Sequence, residues 1–490
     1  MIGSLAHLAE LVLVRMQVGI LVYFVLVNGF YGVLLFAAIP ELIHRVRLMR
    51  GETSWRILSS GVAPRIAILA PAHNEAATVG ESVRALLTMH YPNLEVVIAN
   101  DGSTDGTLQV LTEEFHLIPI HPIYRRVIAT KEIRGLYRSS LHPNLVVVDK
   151  QQGGKADALN AALNVTSAEL VCAIDADTLI DPDALQLLVR PFIDREDVLA
   201  AGATVRVANG SEVRGGRVRR VRAPRRPLAG FQAIEYLRAF LFGRVGWNRL
   251  GGNLVISGAF GLFRREALFD AGGYGMVIAE DMDLVVRLRR RSYERNTPHR
   301  VEFIPDPVAW TEVPENVRTL GRQRDRWHRG LTENLRANLG LILNPRYRAL
   351  GMVVYPYFAF VEWLGPLVEA AGLFGIAAGL AVGAVNVPFA VLFFALSYGL
   401  GTLLTLLTMC LEEITFRRYG GMSDRLVLLG WALLENLGYR QLTLVFRLRG
   451  LIGYIRGRTE WGIMERRGFH RQPSAPAPGG RVREGSSPPA

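Results

Sequence analysis

The chain has 490 residues, more than one average domain needs, so at least two units are expected. Half of its residues are hydrophobic and its mean hydropathy is +0.21, which favours a soluble domain joined to a membrane domain over either alone. The formal charge of +12 lies mainly on arginine; beside long apolar runs it favours anionic lipid or a phosphate-bearing substrate over nucleic acid. The two cysteines, Cys172 and Cys410, exclude a disulfide framework and a Cys/His zinc spacing.

The first apolar run, "VGILVYFVLVNGFYGVLLFAAIP" at residues 18–40, is long enough to cross a bilayer and too long for the core of a signal peptide. Arg45, Arg47, Arg50 and Arg56 follow it and put that side in the cytoplasm. Residues 1–63 are therefore expected to be an anchor with a basic linker. From Arg65 the pattern changes. "RIAILAPAHNE" runs from an apolar strand into a polar loop, and "ATVGESVRALLTMH" has helical spacing. "LEVVIANDGSTDGT" repeats strand then loop, "GTLQVLTEEF" reads as helix and "NLVVVDK" as strand. "GGKADALNAAL" opens a helix, "LVCAIDAD" is another strand, and "DPDALQLLVRPF" supplies a helix with Asp181 as N-cap and Pro182 in its first turn. Strands alternating with helices predict an α/β domain with a largely parallel sheet, whose ligands sit at the carboxyl ends of the strands. His73, Asn74, Glu75, Asp101, Asp175 and Asp177 all fall there.

Asp175 and Asp177 point to the same side of a strand end. Left alone they would repel, and one would hold its proton. Mg²⁺ or Mn²⁺, hard cations that share oxygen ligands with phosphates, would remove that conflict.

Residues 206–226, "RVANGSEVRGGRVRRVRAPRR", read as an exposed loop, either solvated or in contact with anionic headgroups. "FQAIEYLRAFLFGRVGW" reads as an amphipathic helix near the membrane surface. Beyond residue 350 come a long apolar stretch with Pro356 and Pro366 as candidate kinks and, after Asn386, a second clean span. Arg417 and Arg418 follow on the cytoplasmic side, giving three spans in all. Glu362 and Glu369 share a helix face and either border a polar path or contact a partner helix. The stretch after residue 425 is broken by Glu435, Arg440, Arg447 and Arg449 and reads as interfacial or re-entrant helices, and 471–490 as a disordered tail.

"APAHNEAATV", "NDGSTDGT", "DADT", "AEDMDL" and "QRDRW" occur in that order. Together they resemble the processive family 2 glycosyltransferases: cellulose, hyaluronan and poly-N-acetylglucosamine synthases. The resemblance covers roughly residues 64–335 and implies a GT-A-like, nucleotide-sugar-binding domain inserted between transmembrane helices, with 336–470 as the C-terminal membrane and interfacial region. It implies that Asp101 holds the uridine end of the donor with Asn74 and Glu75 beside it, that Lys155 lies near the nucleotide or its phosphates, and that Asp175 and Asp177 meet the diphosphate and its metal. Asp281 would be the general base, with Asp283 a rival that points elsewhere on a helix. Trp327 would stack on the acceptor sugar, Gln323 and Arg326 would face the diphosphate and the acceptor, and Ser257 and Gly258 would line the acceptor's terminal sugar. The acidic motif often begins with Thr, and here Ala279 stands in its place. His73, His328 and Cys172 receive no role.

The expectation is an inverting enzyme of the inner membrane that transfers sugar from UDP-N-acetylglucosamine or UDP-glucose to a growing β-linked polysaccharide. Its partners would be the UDP-sugar, the glycan acceptor and membrane lipid, with any regulation or export help coming from a partner protein. The alternatives are a single-sugar transferase acting on a lipid carrier and a non-catalytic membrane scaffold of an export system.

Overall fold

A computed structural model describes residues 2–51, 63–121, 124–175, 178–381 and 386–458, with side chains of the first helix described from residue 14 to 46. Asp177, most of the basic linker and the C-terminal tail lie outside the described residues.

Helix α1 (Ile2–Gly51) leads into the expected alternation: β1 (Ile66–Ala72), α2 (Val79–Leu87), β2 (Leu94–Asp101), α3 (Thr107–Phe115), then an edge pair β3 (Leu117–Ile120) and β4 (Ile133–Ser139), and β5 (Leu145–Lys150). After α4 (Lys155–Val165) and β6 (Leu170–Ile174) come β7 (Leu179–Ile180), α5 (Ala184–Asp194) and β8 (Val198–Val207). The sheet runs β3-β4-β5-β2-β1-β6-β11-β8-β12-β7, where β11 is Phe260–Arg264 and β12 is Arg300–Thr311. Strands β5, β2, β1 and β6 are mutually parallel, whereas β11 pairs antiparallel with β6 and β8. The fold is thus GT-A-like, with a mixed, mostly parallel central sheet. Side-chain alternation explains its two-sided core: Ile66 and Ile68 of β1 pack into one buried cluster and Ala67 and Leu69 into the other.

Three sequence expectations shift. The helix after β7 is capped at Asp183 rather than Asp181, so Asp181 and Pro182 belong to the preceding turn. The stretch 206–226 contains the end of β8 and a small hairpin, β9 (Glu212–Arg214) with β10 (Arg217–Arg220), whose Gly216 N–H donates to Glu81. The segment after it is helix α6 (Pro227–Arg238), then a π-helical turn at Ala239–Arg244 and α7 (Val245–Arg249).

Among the described residues, three helices are long and apolar enough to cross a membrane: Val14–Val46, Leu350–Ala381 and Val387–Thr415. The second carries π-helical turns at Leu350–Val354 and Phe358–Trp363, on either side of Pro356, which cannot donate to the helical ladder. Leu34, Leu35, Ala38 and Leu42 of α1 join the main core cluster of the sheet, so the catalytic and membrane-type parts share packing. Arg45 pairs with Asp306 at 2.7 Å, and a buried Arg206–Glu412 pair ties β8 to the end of the third apolar helix.

Candidate active site

Several chain segments converge on a cavity of about 570 Å³. Strand β6 ends at Ile174 and delivers Asp175 to its floor. Lys155 opens α4, and its Nζ lies 2.6 Å from Asp175 Oδ1 and 2.7 Å from Glu280 Oε1. Burial disfavours the ammonium charge, but these two carboxylates outweigh it and hold the lysine well above its ordinary range. The loop Ser257–Gly258 closes against it: a Cβ at Gly258 would come 3.0 Å from Lys155 Nζ, a tight contact that the lysine would have to yield to.

Helix α8 (Glu280–Glu294) presents Asp281 from its first turn into the cavity. Burial and the neighbouring Glu280 raise its pKa, opposed by Lys155, by the Met282 N–H that donates to Oδ1 at 2.8 Å, and by Arg244. Asp283, two residues on, points away and holds Arg287 at 2.8 Å. Arg244 sits at the end of the π-helical turn and donates to the Val255 carbonyl at 2.6 Å; burial pulls its pKa down to about 10.

The opposite wall is α9 (Val317–Ala337), which brings Gln323, Arg326 and Trp327 to the cavity. The indole is 42 % exposed, unusual for so large an apolar ring and suited to a ligand face. A Cβ at Gly330 would lie 2.7 Å from the Ala279 methyl, so α9 and the start of α8 touch where the usual motif carries a larger threonine.

The structure therefore gathers Lys155, Asp175, Ser257, Gly258, Asp281, Gln323, Arg326 and Trp327 around one cavity. Asn74, Glu75 and Asp101 are not among its lining residues. Asn74, at φ 55°, caps the 103–105 loop by accepting from Thr104 N at 2.8 Å. Glu75 accepts from the Thr78 hydroxyl at 2.7 Å. Asp101 is buried and accepts from Gly153 N (2.9 Å), Gly154 N (2.7 Å) and Lys150 Nζ (2.6 Å), which fixes the loop ahead of Lys155. His328 is driven down to about 3 by burial and stays neutral, and the buried Cys172 thiol is pushed up and inert. Sequence reasoning missed Glu280, Arg244 and Arg324. Glu280 was adjacent to a chosen residue, and Arg324 lies three before Trp327 on one helix face; Arg244 left no signal.

A family model for glycosyl transferase family 2 matches residues 67–270, and one for glycosyl transferase family group 2 matches residues 170–411. This chain carries glycosyl transferase family 2 domains. It is 27 % identical over 301 residues to a poly-beta-1,6-N-acetyl-D-glucosamine synthase of Staphylococcus epidermidis and 26 % identical over 303 residues to that of Staphylococcus aureus strain COL. Each match covers 61 % of this glycosyltransferase and 62 % of the relative, so the chain spans less than two thirds of the curated relatives' length. Among solved structures, a mannosyltransferase from Pyrobaculum calidifontis in complex with GDP-Man and Mn²⁺ aligns over 86 % of this chain and 99 % of its own, at 19 % identity and a TM-score of 0.48.

Proposed function

We propose that this glycosyltransferase extends a β-linked polysaccharide from a UDP-sugar at the cytoplasmic face of the inner membrane and receives the growing chain between its own membrane helices. UDP-N-acetylglucosamine is the leading donor, in keeping with the poly-N-acetylglucosamine synthases among its relatives, and UDP-glucose is the second. The observation that carries the reading is adjacency. A second cavity of about 440 Å³, lined by Tyr23, Asn28, Tyr357, Glu369 and Arg440 of the membrane-type region, shares Glu235, Arg244, Val255, Phe358 and Glu362 with the first. A single-sugar transferase has no use for a polar chamber behind its acceptor site.

In this reading the acceptor glycan lies along the Trp327 indole, whose flat apolar surface suits a sugar ring face. Asp281 takes the proton of the acceptor hydroxyl as that oxygen bonds to the anomeric carbon of the donor. The bond from that carbon to the diphosphate breaks in the same displacement, inverting the centre and releasing UDP. Arg326 and Lys155 offset the charge gathering on the departing diphosphate.

The cavity's side chains suit a divalent cation. Glu235, Glu315 and Glu362 of its lining are paired with Arg324, Arg226 and Arg447, but Asp175, Glu280 and Asp281 gather around Lys155 alone, so carboxylate remains in excess there. An anionic donor would be repelled from such a wall unless a cation came with it. Asp175, a hard oxygen donor 31 % exposed in its side chain, would hold Mg²⁺ or Mn²⁺ together with Asp177. When bound, that ion would screen the diphosphate as a Lewis acid.

The test is UDP release by the purified full-length chain across a panel of UDP-sugars, with Mn²⁺, Mg²⁺ or EDTA, sizing the product. The reading expects metal-dependent release with one sugar and a long polymer. A short product extractable into organic solvent would replace it with transfer to a lipid carrier. No release with any sugar would favour a scaffold.

A further inference from the structure

Trp327 needs a mechanism that holds it in place. It is half-exposed at the cavity wall, and an indole free to change rotamer would pay an ordering cost each time a sugar lands on it. Directly behind it, one helical turn earlier on α9, lies Arg324. This guanidinium is 5 % exposed and sits 4.4 Å from the centre of the Trp327 ring. Such a distance is a cation–π contact, and the planar guanidinium covers one face of the indole while leaving the other to the cavity.

The arginine is itself held from two further elements. Its Nη2 donates to Glu235 Oε2 at 2.7 Å and lies 3.2 Å from the Tyr439 hydroxyl, which in turn donates to the same Glu235 oxygen at 2.7 Å. Glu235 comes from α6 and borders both cavities; Tyr439 opens the C-terminal helix α10 (Tyr439–Ile455). Arg324 Nε has no hydrogen-bond partner among the described residues. The buried guanidinium is therefore anchored through one nitrogen and spends its flat surface on the indole.

We propose that Arg324 is a positioning residue for the acceptor: with Glu235 and Tyr439 behind it, it locks the Trp327 ring as a one-sided platform for the glycan. The proposal rests on the reading of Trp327 as the acceptor wall. Lysine cannot replace it, because an ammonium offers no plane to stack on the ring and no fork to share between ring and carboxylate. A merely structural tie between three helices would instead tolerate lysine and would weaken every ligand alike.

The experiment measures binding, so it does not depend on turnover. Full-length protein in detergent is titrated with a β-1,6-linked N-acetylglucosamine pentamer and, separately, with UDP, for wild type, R324K, R324M, W327A and the double variant R324M/W327A. The expected result is an acceptor Kd weaker by about tenfold in both R324K and R324M, with UDP affinity within about twofold. The double variant is expected to bind no more weakly than W327A, since the arginine acts only through the ring. Should R324M fail to fold, Y439F, which removes one hydrogen bond of the anchor, is expected to weaken the acceptor in the same direction by a smaller factor. Unchanged acceptor binding in R324K, additive losses in the double variant, or parallel loss of UDP and acceptor would each overturn the proposal. Failure of the proposed function shows separately, as absence of UDP release by the wild type.

Discussion

The catalytic cavity and the chamber between the membrane-type helices share a wall, yet they balance charge to different degrees. In the first, Glu235, Glu315 and Glu362 are paired with Arg324, Arg226 and Arg447, which leaves Asp175, Glu280 and Asp281 gathered around Lys155. In the second, four acids (Glu235, Glu362, Glu369, Glu435) face four arginines (Arg238, Arg244, Arg440, Arg447). The acids of the second chamber are paired: Glu369 with Arg440 at 2.9 Å, Glu435 with Arg238 at 2.7 Å, Glu362 with Arg447 at 3.5 Å, and Glu235 with Arg324 at 2.7 Å. The physical reason lies in the surroundings. A charge left alone among apolar helices is too costly, so that chamber neutralises itself and, in the proposed reading, would offer a glycan hydrogen-bonding groups without a field. The catalytic cavity keeps an acid excess because its proposed occupants arrive with a cation.

The sharpest way to break this contrast is to remove the charge that does chemistry. Asp281→Asn keeps the shape and loses the base, so UDP release is expected to fall about a thousandfold while UDP still binds; a fall below tenfold would move the base elsewhere. The second test uncouples a pair in the balanced chamber. Glu369→Gln leaves Arg440 without its carboxylate and is expected to cost about 2 kcal/mol, less than a fully buried pair because Arg440 is partly exposed. Thermal unfolding in detergent would read it, and the polymer should shorten more than UDP release falls. The smallest effect belongs to the shared wall. A general base must be ionised, and burial and Glu280 raise the Asp281 pKa, so the acid limb of kcat/KM should lie above the ordinary carboxylate range. Arg244 opposes that shift, so Arg244→Met should move the limb further up, by about one pH unit or less. A limb moving down would contradict the assignment.

The same contrast explains what the sequence disclosed. The parallel half of the sheet was legible because each strand is an apolar run ending in a polar motif, as at "LVCAIDAD" and "LEVVIAND". Three apolar helices were legible from length alone, and the structure has helices of that kind in all three places. Strand β12 was not: Pro305 and Pro307 interrupt it, and the structure absorbs them with register shifts between Ile304 and Ala309. The antiparallel strand β11 was hidden in "VISGAFGLFRREAL", where the glycines suggested only a loop. At the site, residues carried by motifs were found, whereas Arg244 and Glu235 act across long sequence separations and no local pattern announces them. Asp101 shows the converse. Its motif was plain, but that its buried carboxylate accepts from the loop before Lys155 is a fact only tertiary contacts reveal.

The most direct test of the central claim, that the catalytic cavity feeds the chamber behind it, is the location of the product. Full-length protein is reconstituted in proteoliposomes with its catalytic domain outward, supplied with UDP-N-acetylglucosamine and metal, and treated outside with a glycosidase that degrades the polymer. The account predicts long polymer that resists the glycosidase until detergent opens the vesicles. Polymer fully degraded without detergent, or only a short lipid-linked product, would contradict it.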